Sequence, residues 1–203
     1  FYTGTQKKKI KNFIQLDLNN STSIDKFIDK TEKINLDVLI INSGINIIKD
    51  FLNFTPQEIT RVININFLNN LRILQSILKN MIKKKYGRIV LISSIWGVIP
   101  AKKRSIYSLT KKSLQFLCKS IASEYGHNNI LINSISPGFI ETELTKKSLD
   151  EKKIKKLKKR VPLGRFGRPS EVADLAYYLI NKNTYINGQN IVIDGGFLSA
   201  IEI

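Results

Sequence analysis

A tyrosine and a lysine stand four residues apart, at Tyr107 and Lys111, inside the amphipathic stretch Ser105–Tyr125. Residues at this spacing share one face of a helix, so the phenol and the ammonium are neighbours. We expect the positive charge to lower the pKa of Tyr107 from about 10 toward neutrality. Such a phenol can exchange a proton with a carbonyl or an alcohol. The same pair is also common on protein surfaces without any function, so its meaning depends on what lies beside it.

Two further polar residues can join the pair. Ser94 directly follows the predicted strand Arg88–Ser93, and its hydroxyl can hydrogen-bond a substrate oxygen on which charge develops. Asn66 lies in the long predicted helix Thr55–Lys84, where its amide can hold a water molecule that supplies protons behind Lys111.

The elements that must position these residues alternate between short β-branched runs and longer amphipathic stretches, which is typical of a parallel sheet covered by helices. The predicted strands are Phe13–Leu16, Val38–Ile41, Arg88–Ser93, Leu131–Ser136 and Asn190–Ile193. The predicted helices are Ser21–Ile34, Thr55–Lys84, Ser105–Tyr125 and Ser170–Leu179. The runs "DVLIIN" and "GRIVLISS" are apolar throughout, which predicts strands buried on both faces. Thr55, Pro56 and Glu58 predict a capping box at the start of the long helix.

Polar and glycine residues follow three of the predicted strands. They form the segments "INSG" (Ile41–Gly44), "SSIWG" (Ser93–Gly97) and "SPGFIET" (Ser136–Thr142). Such residues end strands for reasons of turn geometry, so each segment alone is weak evidence. Because ligands bind beyond the carboxyl ends of parallel strands, their recurrence at one edge predicts a cleft there.

The composition limits the classes of function. The formal charge is +17, but it comes from 26 lysines and only 7 arginines, scattered or in runs at element ends. Nucleic-acid readers rely on arginine, so we interpret the charge as a solvated basic surface rather than a nucleic-acid site. No apolar run is long enough for a membrane span and no signal peptide is found, so we expect a cytoplasmic protein. The single cysteine, Cys118, is expected to be a buried thiol, and no metal site is predicted.

The chain resembles the short-chain dehydrogenase/reductases over nearly its whole length. Tyr107-Ser-Leu-Thr-Lys111 with Ser94 upstream is similar to the Tyr-x-x-x-Lys and Ser signature of that family, and "INSG" is similar to its Asn-Asn-Ala-Gly motif. "SPGFIET", "GRFGRPSEVADLAYYLI" and "NGQNIVIDGG" resemble its later segments, in the same order. Within the family, the likeness is greatest to the 3-oxoacyl-(acyl-carrier-protein) reductases.

This resemblance implies a site. Its implied catalytic residues are Asn66, Ser94, Tyr107 and Lys111. Its implied cofactor-binding residues are Thr5, Asp17, Leu18, Asn42, Gly44, Tyr107, Lys111, Pro137, Gly138, Ile140 and Thr142. Lys111 would also bind the nicotinamide ribose, and Asp17 and Leu18 would flank the adenine. Ile140 would meet the carboxamide through its backbone and Thr142 through its hydroxyl.

The implied fold is a Rossmann-type doubly wound parallel sheet, in one domain over residues 1–203. The glycine-rich phosphate loop of the family is absent, since "YTGTQKKKI" has Thr3-Gly4 but no later glycine. We therefore expect the first strand–helix unit of the fold to be missing from this chain.

The charged and Gly/Pro-punctuated segment 142–168 is expected to be a helical flap beside the site, although a plain surface excursion fits as well. Ile41 also departs from the family, replacing the first Asn of the Asn-Asn-Ala-Gly motif.

NADP(H) is favoured over NAD(H) as the cofactor. The segment "FYTGTQKKK" has no acid that could bind ribose hydroxyls, and it offers Thr3, Thr5 and Lys7–Lys9 to a 2′-phosphate.

The resemblance implies reduction of a carbonyl to an alcohol, with 3-oxoacyl thioesters on acyl carrier protein as the first candidate substrate. The alternatives are a dehydrogenase of a sugar or other small alcohol, and a non-catalytic binding protein of the same fold. Lys102, Lys103 and Arg104 suit an acidic carrier or a phosphorylated substrate, or are one more basic patch. A homotetramer or homodimer is expected, and the stripe Leu114, Leu117 and Ile121 fits either its interface or a core face.

Overall fold

The computed structural model describes residues 2–5, 12–142, 145 and 150–199. Its strands are β1 (Tyr2–Gly4), β2 (Phe13–Gln15), β3 (Val38–Ile41), β4 (Gly87–Ile92), β5 (Ile130–Pro137) and β6 (Asn190–Ile193). Its α-helices are α1 (Ser21–Glu32), α2 (Pro56–Ile63), α3 (Asn69–Lys83), α4 (Ser105–Tyr125), α5 (Glu151–Lys159) and α6 (Pro169–Asn181). The single domain over residues 1–203 stays a prediction.

Parallel pairing organises the strands into two sheets. The main sheet has the order β3-β4-β5-β6, and β1 pairs with β2 in a separate two-stranded sheet. In the main sheet Val38 lies opposite Arg88, and Gly87 lies opposite Ile130. Because its four strands run parallel, their carboxyl ends meet at one edge, as the sequence predicted.

Helices cover the main sheet on both faces. On one face, α1, α3 and α4 contribute to a core with Phe27, Leu74 and Leu114 among its buried side chains. On the other face, Ala176 and Leu179 of α6 pack against Val90 and Ile135 of the sheet. This is the doubly wound α/β architecture expected from the alternation of elements. No helix in the described part of the chain is long and apolar enough to cross a membrane.

The long predicted helix is continuous but not uniform. Its capping box is confirmed, because the Thr55 hydroxyl accepts from the Glu58 amide at 3.2 Å and the Glu58 carboxylate accepts from the Thr55 amide at 2.9 Å. Between α2 and α3, residues Asn64–Leu68 form a π-helical turn. Such turns are rare, and they occur frequently at functional sites.

The structure differs from the predicted strands in two ways. The strand Tyr2–Gly4 was not among the predicted strands, and it pairs in parallel with β2. β3 was expected to be buried on both faces, yet Ile40 is 44% exposed. The reason is its position at an edge of the main sheet, whereas β4 lies inside the sheet and all of its residues but Ile92 are buried.

One face of α4 belongs to the core. Leu114 and Ile121 are buried, which identifies that stripe as a core face, and the exposed apolar residues of α4 are Leu109 and Phe116. Cys118 is fully buried as expected, and burial raises the pKa of its thiol to about 12. A thiol with so high a pKa is a poor nucleophile.

Candidate active site

The polar strand ends meet as predicted. Asn42–Gly44 follow β3, Ser93 and Ser94 follow β4, and Gly138 follows β5, all at the carboxyl edge of the main sheet. A pocket at the same edge is lined by Phe139, Ile140 and Asp194, among other residues, although none of the four predicted catalytic residues lines it.

Ser94 and Tyr107 face each other. Ser94 begins a short 3₁₀ turn and its hydroxyl accepts from the Trp96 amide at 3.2 Å. A hydrogen bond with Ser94 lowers the pKa of Tyr107, but burial outweighs it and raises that pKa above its ordinary value of 10.0. The positive charge of Arg104 acts in the same lowering direction as Ser94. The expected drop toward neutrality is therefore wrong in direction, because burial of the phenol disfavours its charged form more than its neighbours favour it.

Lys111 lies deeper than the sequence suggested. Its side chain is only 4% exposed, and its Nζ donates to the carbonyl of Ile92 at 2.8 Å. The Nζ lies 5.8 Å from the centre of the Tyr107 ring. Burial lowers the pKa of Lys111 from 10.5 to about 8. The lysine is thus beside the tyrosine, as its spacing predicts, but part of its charge is lost in mildly alkaline solution.

Asn66 lies in the π-helical turn and is completely buried. Its Oδ1 accepts from the Ile45 amide at 2.7 Å, and its Nδ2 donates to the Ile45 carbonyl at 2.9 Å. The same Nδ2 donates to the Thr110 hydroxyl at 3.1 Å, one residue before Lys111. Asn66 therefore ties the loop after β3 to α4, and its predicted role in holding a water molecule stays a prediction.

Gly44 lies against this group of side chains. A Cβ atom built on Gly44 would be 3.3 Å from the Nζ of Lys111 and 3.4 Å from the Oδ1 of Asn66. Gly44 and Asn42 are both exposed, on the loop that Asn66 holds. The structure thus brings Gly44, Asn66 and Lys111 together at the end of β3.

A buried polar network that sequence reasoning missed supports the back of the site. Gln115 donates from Nε2 to the hydroxyls of Ser93 at 3.0 Å and Ser136 at 3.1 Å. Ser93 in turn donates to the Lys111 carbonyl at 2.8 Å. Gln115 thereby joins α4 to the ends of β4 and β5. The available signal was its position four residues after Lys111, a polar residue on the face of α4 that Tyr107 and Lys111 share.

The residues predicted to bind the adenosine part of a cofactor lie around β1 and β2. Thr5 follows β1 and is exposed, and its carbonyl accepts from the Gln15 side chain at 2.8 Å. Asp17 follows β2, and its carboxylate accepts from the Asn19 amide. Leu18 is buried in the same core as α3, with its carbonyl bound to Asn69 at 2.8 Å. Lys7–Lys9 lie outside the described residues.

The residues predicted to bind the nicotinamide part follow β5. Pro137 ends the strand, and Gly138 is required by packing, since a Cβ there would lie 2.8 Å from the Cα of Asp194. Ile140 pairs with Gly167 in a parallel bridge. The hydroxyl of Thr142 accepts from the Thr145 amide at 3.2 Å, and the Thr142 amide donates to the Ile140 carbonyl at 2.9 Å.

The predicted flap 142–168 contains a helix. α5 (Glu151–Lys159) lies within it, and residues 143–144 and 146–149 lie outside the described part. The role of the segment as a flap beside the site stays a prediction. The segment is joined to the site through stacked and edge-on rings. Phe166 stacks on Phe139 with ring centres 5.4 Å apart, and Trp96, two residues after Ser94, meets Phe139 edge-on at 5.9 Å.

Comparisons with known proteins show which family the chain belongs to. A family model described as enoyl-(acyl carrier protein) reductase matches residues 3–198. The chain is 36% identical over 186 residues to the 3-oxoacyl-(acyl-carrier-protein) reductase FabG of Aquifex aeolicus (strain VF5). This alignment covers 90% of this chain and 75% of the relative.

Two solved structures share the fold closely. The 4-hydroxyisoleucine dehydrogenase complexed with NADH superposes with a TM-score of 0.87 at 32% identity, covering 93% of this chain and 80% of the other. ElxO with NADP bound superposes with a TM-score of 0.84 at 32% identity, covering 93% and 79%. The family model matches nearly the whole chain and the FabG relative covers 90% of it, so the chain belongs to the short-chain dehydrogenase/reductase family of oxidoreductases.

Proposed function

We propose that this chain is an NADPH-dependent reductase of 3-oxoacyl thioesters carried on acyl carrier protein. The observation that carries the proposal is the convergence of Ser94, Tyr107, Lys111 and Asn66 at the carboxyl edge of the sheet, in a chain 36% identical to a 3-oxoacyl-(acyl-carrier-protein) reductase. The basic residues Lys102 and Lys103 precede α4, which carries Tyr107, and both are exposed. Their charges suit the approach of an acidic carrier protein.

The chain has features that fit a nicotinamide nucleotide. At Gly44 the absence of a side chain leaves the surface above Lys111 and Asn66 clear, so a ligand can lie against the backbone there. Lys111 and the backbone near Ile140 would hold the nicotinamide end, and Asp17 and Leu18 the adenine end. When bound, the cofactor supplies the hydride that reduces the carbonyl carbon.

The side chains of this chain then supply and control the proton. Because burial raises the pKa of Tyr107, the phenol is protonated at neutral pH and serves as the general acid. Its hydroxyl proton passes to the substrate oxygen, and the hydroxyl of Ser94 hydrogen-bonds that oxygen as charge develops on it. Asn66 holds the Gly44–Ile45 loop and, through Thr110, the turn of α4 that carries Lys111.

NADPH is proposed over NADH from the first described strand. Thr3 and Thr5 are exposed at the end of β1, and no acidic residue stands among the described residues 2–5 to repel a 2′-phosphate. The solved neighbours named above bind one nucleotide each, NADP in ElxO and NADH in the 4-hydroxyisoleucine dehydrogenase. That second neighbour also supports an alternative, in which the chain oxidises a small hydroxylated molecule with NAD.

The decisive experiment follows the oxidation of NADPH, and separately of NADH, at 340 nm. Two substrates are compared: acetoacetyl-acyl carrier protein and an acetoacetyl thioester of a small thiol. Faster turnover with NADPH and with the carrier-bound substrate is expected. Tyr107→Phe should lower kcat by about 10²-fold or more, because the variant has no proton to give. The exposed Tyr178→Phe is the matched control and should keep wild-type turnover.

Each alternative has its own outcome. Turnover of small alcohols with NAD, without reduction of acetoacetyl thioesters, would replace the proposed substrate by the small-alcohol alternative. Reduction of crotonyl but not acetoacetyl thioesters would assign the chain to double-bond reduction. Equal rates for Tyr107→Phe and wild type would show that Tyr107 is not the proton donor.

A further inference from the structure

The turn 165–168 lies against the segment that follows β5. Gly167 forms a parallel bridge with Ile140. Its amide donates to the Phe139 carbonyl at 2.8 Å, and its carbonyl accepts from the Glu141 amide at 2.8 Å. A Cβ atom built on Gly167 would lie 2.7 Å from the Cδ1 of Ile140, so the absence of a side chain lets the turn lie this close. The turn therefore fixes the backbone on both sides of Ile140.

An ion pair holds this turn to the start of α6. The two terminal nitrogens of the Arg165 guanidinium donate to the two carboxylate oxygens of Glu171, at 2.6 and 2.9 Å. Glu171 lies in the first turn of α6, and its carboxylate also accepts from the Arg168 amide at 2.7 Å. Within the turn, Nη1 of Arg165 donates to the Phe166 carbonyl at 3.1 Å. One carboxylate thus binds both ends of the turn 165–168.

The pair has the geometry of a strong surface ion pair. A guanidinium offers two parallel N–H groups that match a carboxylate, so a bidentate pair fixes an orientation as well as a distance. The guanidinium of Arg168 lies 3.5 Å from the same carboxylate and adds a second cation. The bonds from Arg165 and from the Arg168 amide lower the pKa of Glu171 to about 2, so the carboxylate is ionised at neutral pH.

We propose that Arg165 and Glu171 are positioning residues for the nicotinamide end of the cofactor, because their ion pair holds the turn 165–168 and the turn holds the backbone of Ile140. The hold on Ile140 follows from the contacts of the turn, whereas its consequence for the cofactor rests on the proposed function. Without the pair, the backbone at Ile140 samples further positions. Only the fraction of molecules in the competent position then binds the nicotinamide.

Two nucleotides test the proposal by calorimetric titration, without any catalysis. NADPH has both ends of the cofactor, whereas adenosine 2′,5′-bisphosphate has the adenosine end alone. Arg165→Gln should raise the Kd of NADPH by about threefold to tenfold, since a bidentate pair at the surface is lost. The Kd of adenosine 2′,5′-bisphosphate should stay as in wild type. Arg165→Lys should restore part of the affinity, because lysine keeps the charge but not the two parallel donors.

Glu171→Gln is the second variant. Glutamine at this position of a helix can still accept from the Arg168 amide, so α6 keeps its cap while the ion pair is lost. The variant with both changes, at Arg165 and Glu171, should bind NADPH no more weakly than either single variant, because both remove the same interaction. Arg72→Gln is the matched control. It breaks another exposed pair of 2.6 Å, with Asp25, and should leave both Kd values unchanged.

Hydrogen exchange measured by nuclear magnetic resonance needs no nucleotide. The amides of Gly167 and Glu141 should exchange about threefold faster or more in Arg165→Gln, since the turn opens more often. Unchanged exchange of these amides would overturn the proposal, as would an unchanged Kd of NADPH or an equal loss of affinity for both nucleotides. A wild type that binds neither nucleotide, with faster exchange in the variant, would contradict the proposed function and leave the hold of the pair on Ile140 supported.

Discussion

Lys111 shows how the proposed function and stability oppose each other in one residue. Its ammonium is buried and, among the described residues, hydrogen-bonds only the Ile92 carbonyl, so most of its solvation is lost on folding. Burial lowers its pKa to about 8, below the ordinary 10.5, so the unfolded chain binds its proton more tightly than the folded chain does. Below pH 8 the buried charge therefore lowers the free energy of unfolding by its full amount. As the pH rises from 8 toward 10.5, the folded lysine loses its proton first and the free energy of unfolding increases.

Lys111→Met should remove this destabilisation, because the variant has no charge to bury. The shift from 10.5 to about 8 corresponds to about 3 kcal/mol, so the variant should unfold less readily than wild type at pH 7. The difference in the free energy of unfolding should shrink between pH 8 and 10.5, as wild type regains stability. Urea denaturation of both proteins at several pH values measures it, and a difference independent of pH would contradict the stated cause.

Residue types and spacing predicted where the candidate site lies, but not the pKa shifts of its residues. Ser94, Tyr107, Lys111 and Asn66 could be named because their neighbours in sequence repeat a family pattern. The structure places Ser94 and Lys111 beside Tyr107, while the catalytic roles of all four stay a prediction. The direction of the Tyr107 pKa shift could not be predicted, because burial depends on how distant segments pack over the ring. Gln115 was missed for a related reason, since its partners Ser93 and Ser136 come from two different strands.

At the scale of elements, the π-helical turn Asn64–Leu68 connects three parts of the fold. It carries Asn66, whose amide bonds the loop after β3 at Ile45 and α4 at Thr110. The capping box at Thr55 could be read from the sequence, because it is a local pattern of three residues. The bond from Asn66 to Thr110 spans 44 positions, and no local pattern indicates it.

Asn66→Ala should destabilise the fold more than an ordinary surface hydrogen bond does. It leaves the amide and carbonyl of Ile45 and the Thr110 hydroxyl without this partner, and a buried unsatisfied group costs about 1–3 kcal/mol. Asn80→Ala is the matched control, since it removes one exposed bond to the Glu32 carbonyl and should cost about 1 kcal/mol or less. Urea unfolding of both variants decides, and equal losses would show that Asn66 is not a structural tie.

At the scale of the whole molecule, the resemblance implied a doubly wound parallel sheet, and the structure has four parallel strands in the order β3-β4-β5-β6. The burial of β3 was predicted less well, because an apolar sequence does not reveal whether a strand lies inside a sheet or at its edge. The apolar residues of α4 divide in the same way. Leu114 and Ile121 face the core, whereas Leu109 is 57% exposed and Phe116 is 68% exposed.

The outward pair Leu109 and Phe116 is where we expect copies of this chain to associate. The two residues are seven apart, so they lie on one side of α4, and an exposed apolar patch is typical of an interface. Phe116→Glu should lower the molar mass measured by size-exclusion chromatography with light scattering. Leu52→Glu, at a residue 92% exposed outside this helix, should leave the mass as in wild type. A monomeric wild type would contradict the expected dimer or tetramer.

The chain has one tryptophan, and Trp96 lies two residues after Ser94 among the rings of Phe139 and Phe197. Excitation at the red edge of the protein's absorption spectrum therefore selects the indole of Trp96, and its emission reports only on the surroundings of that residue. Nucleotide or substrate analogues arriving near Ser94 can be followed by quenching, with no added label. During heating, this emission follows the packing around Trp96 and far-ultraviolet circular dichroism follows the secondary structure. Comparing the two will show whether the ring cluster around Trp96 unfolds together with the parallel sheet or before it.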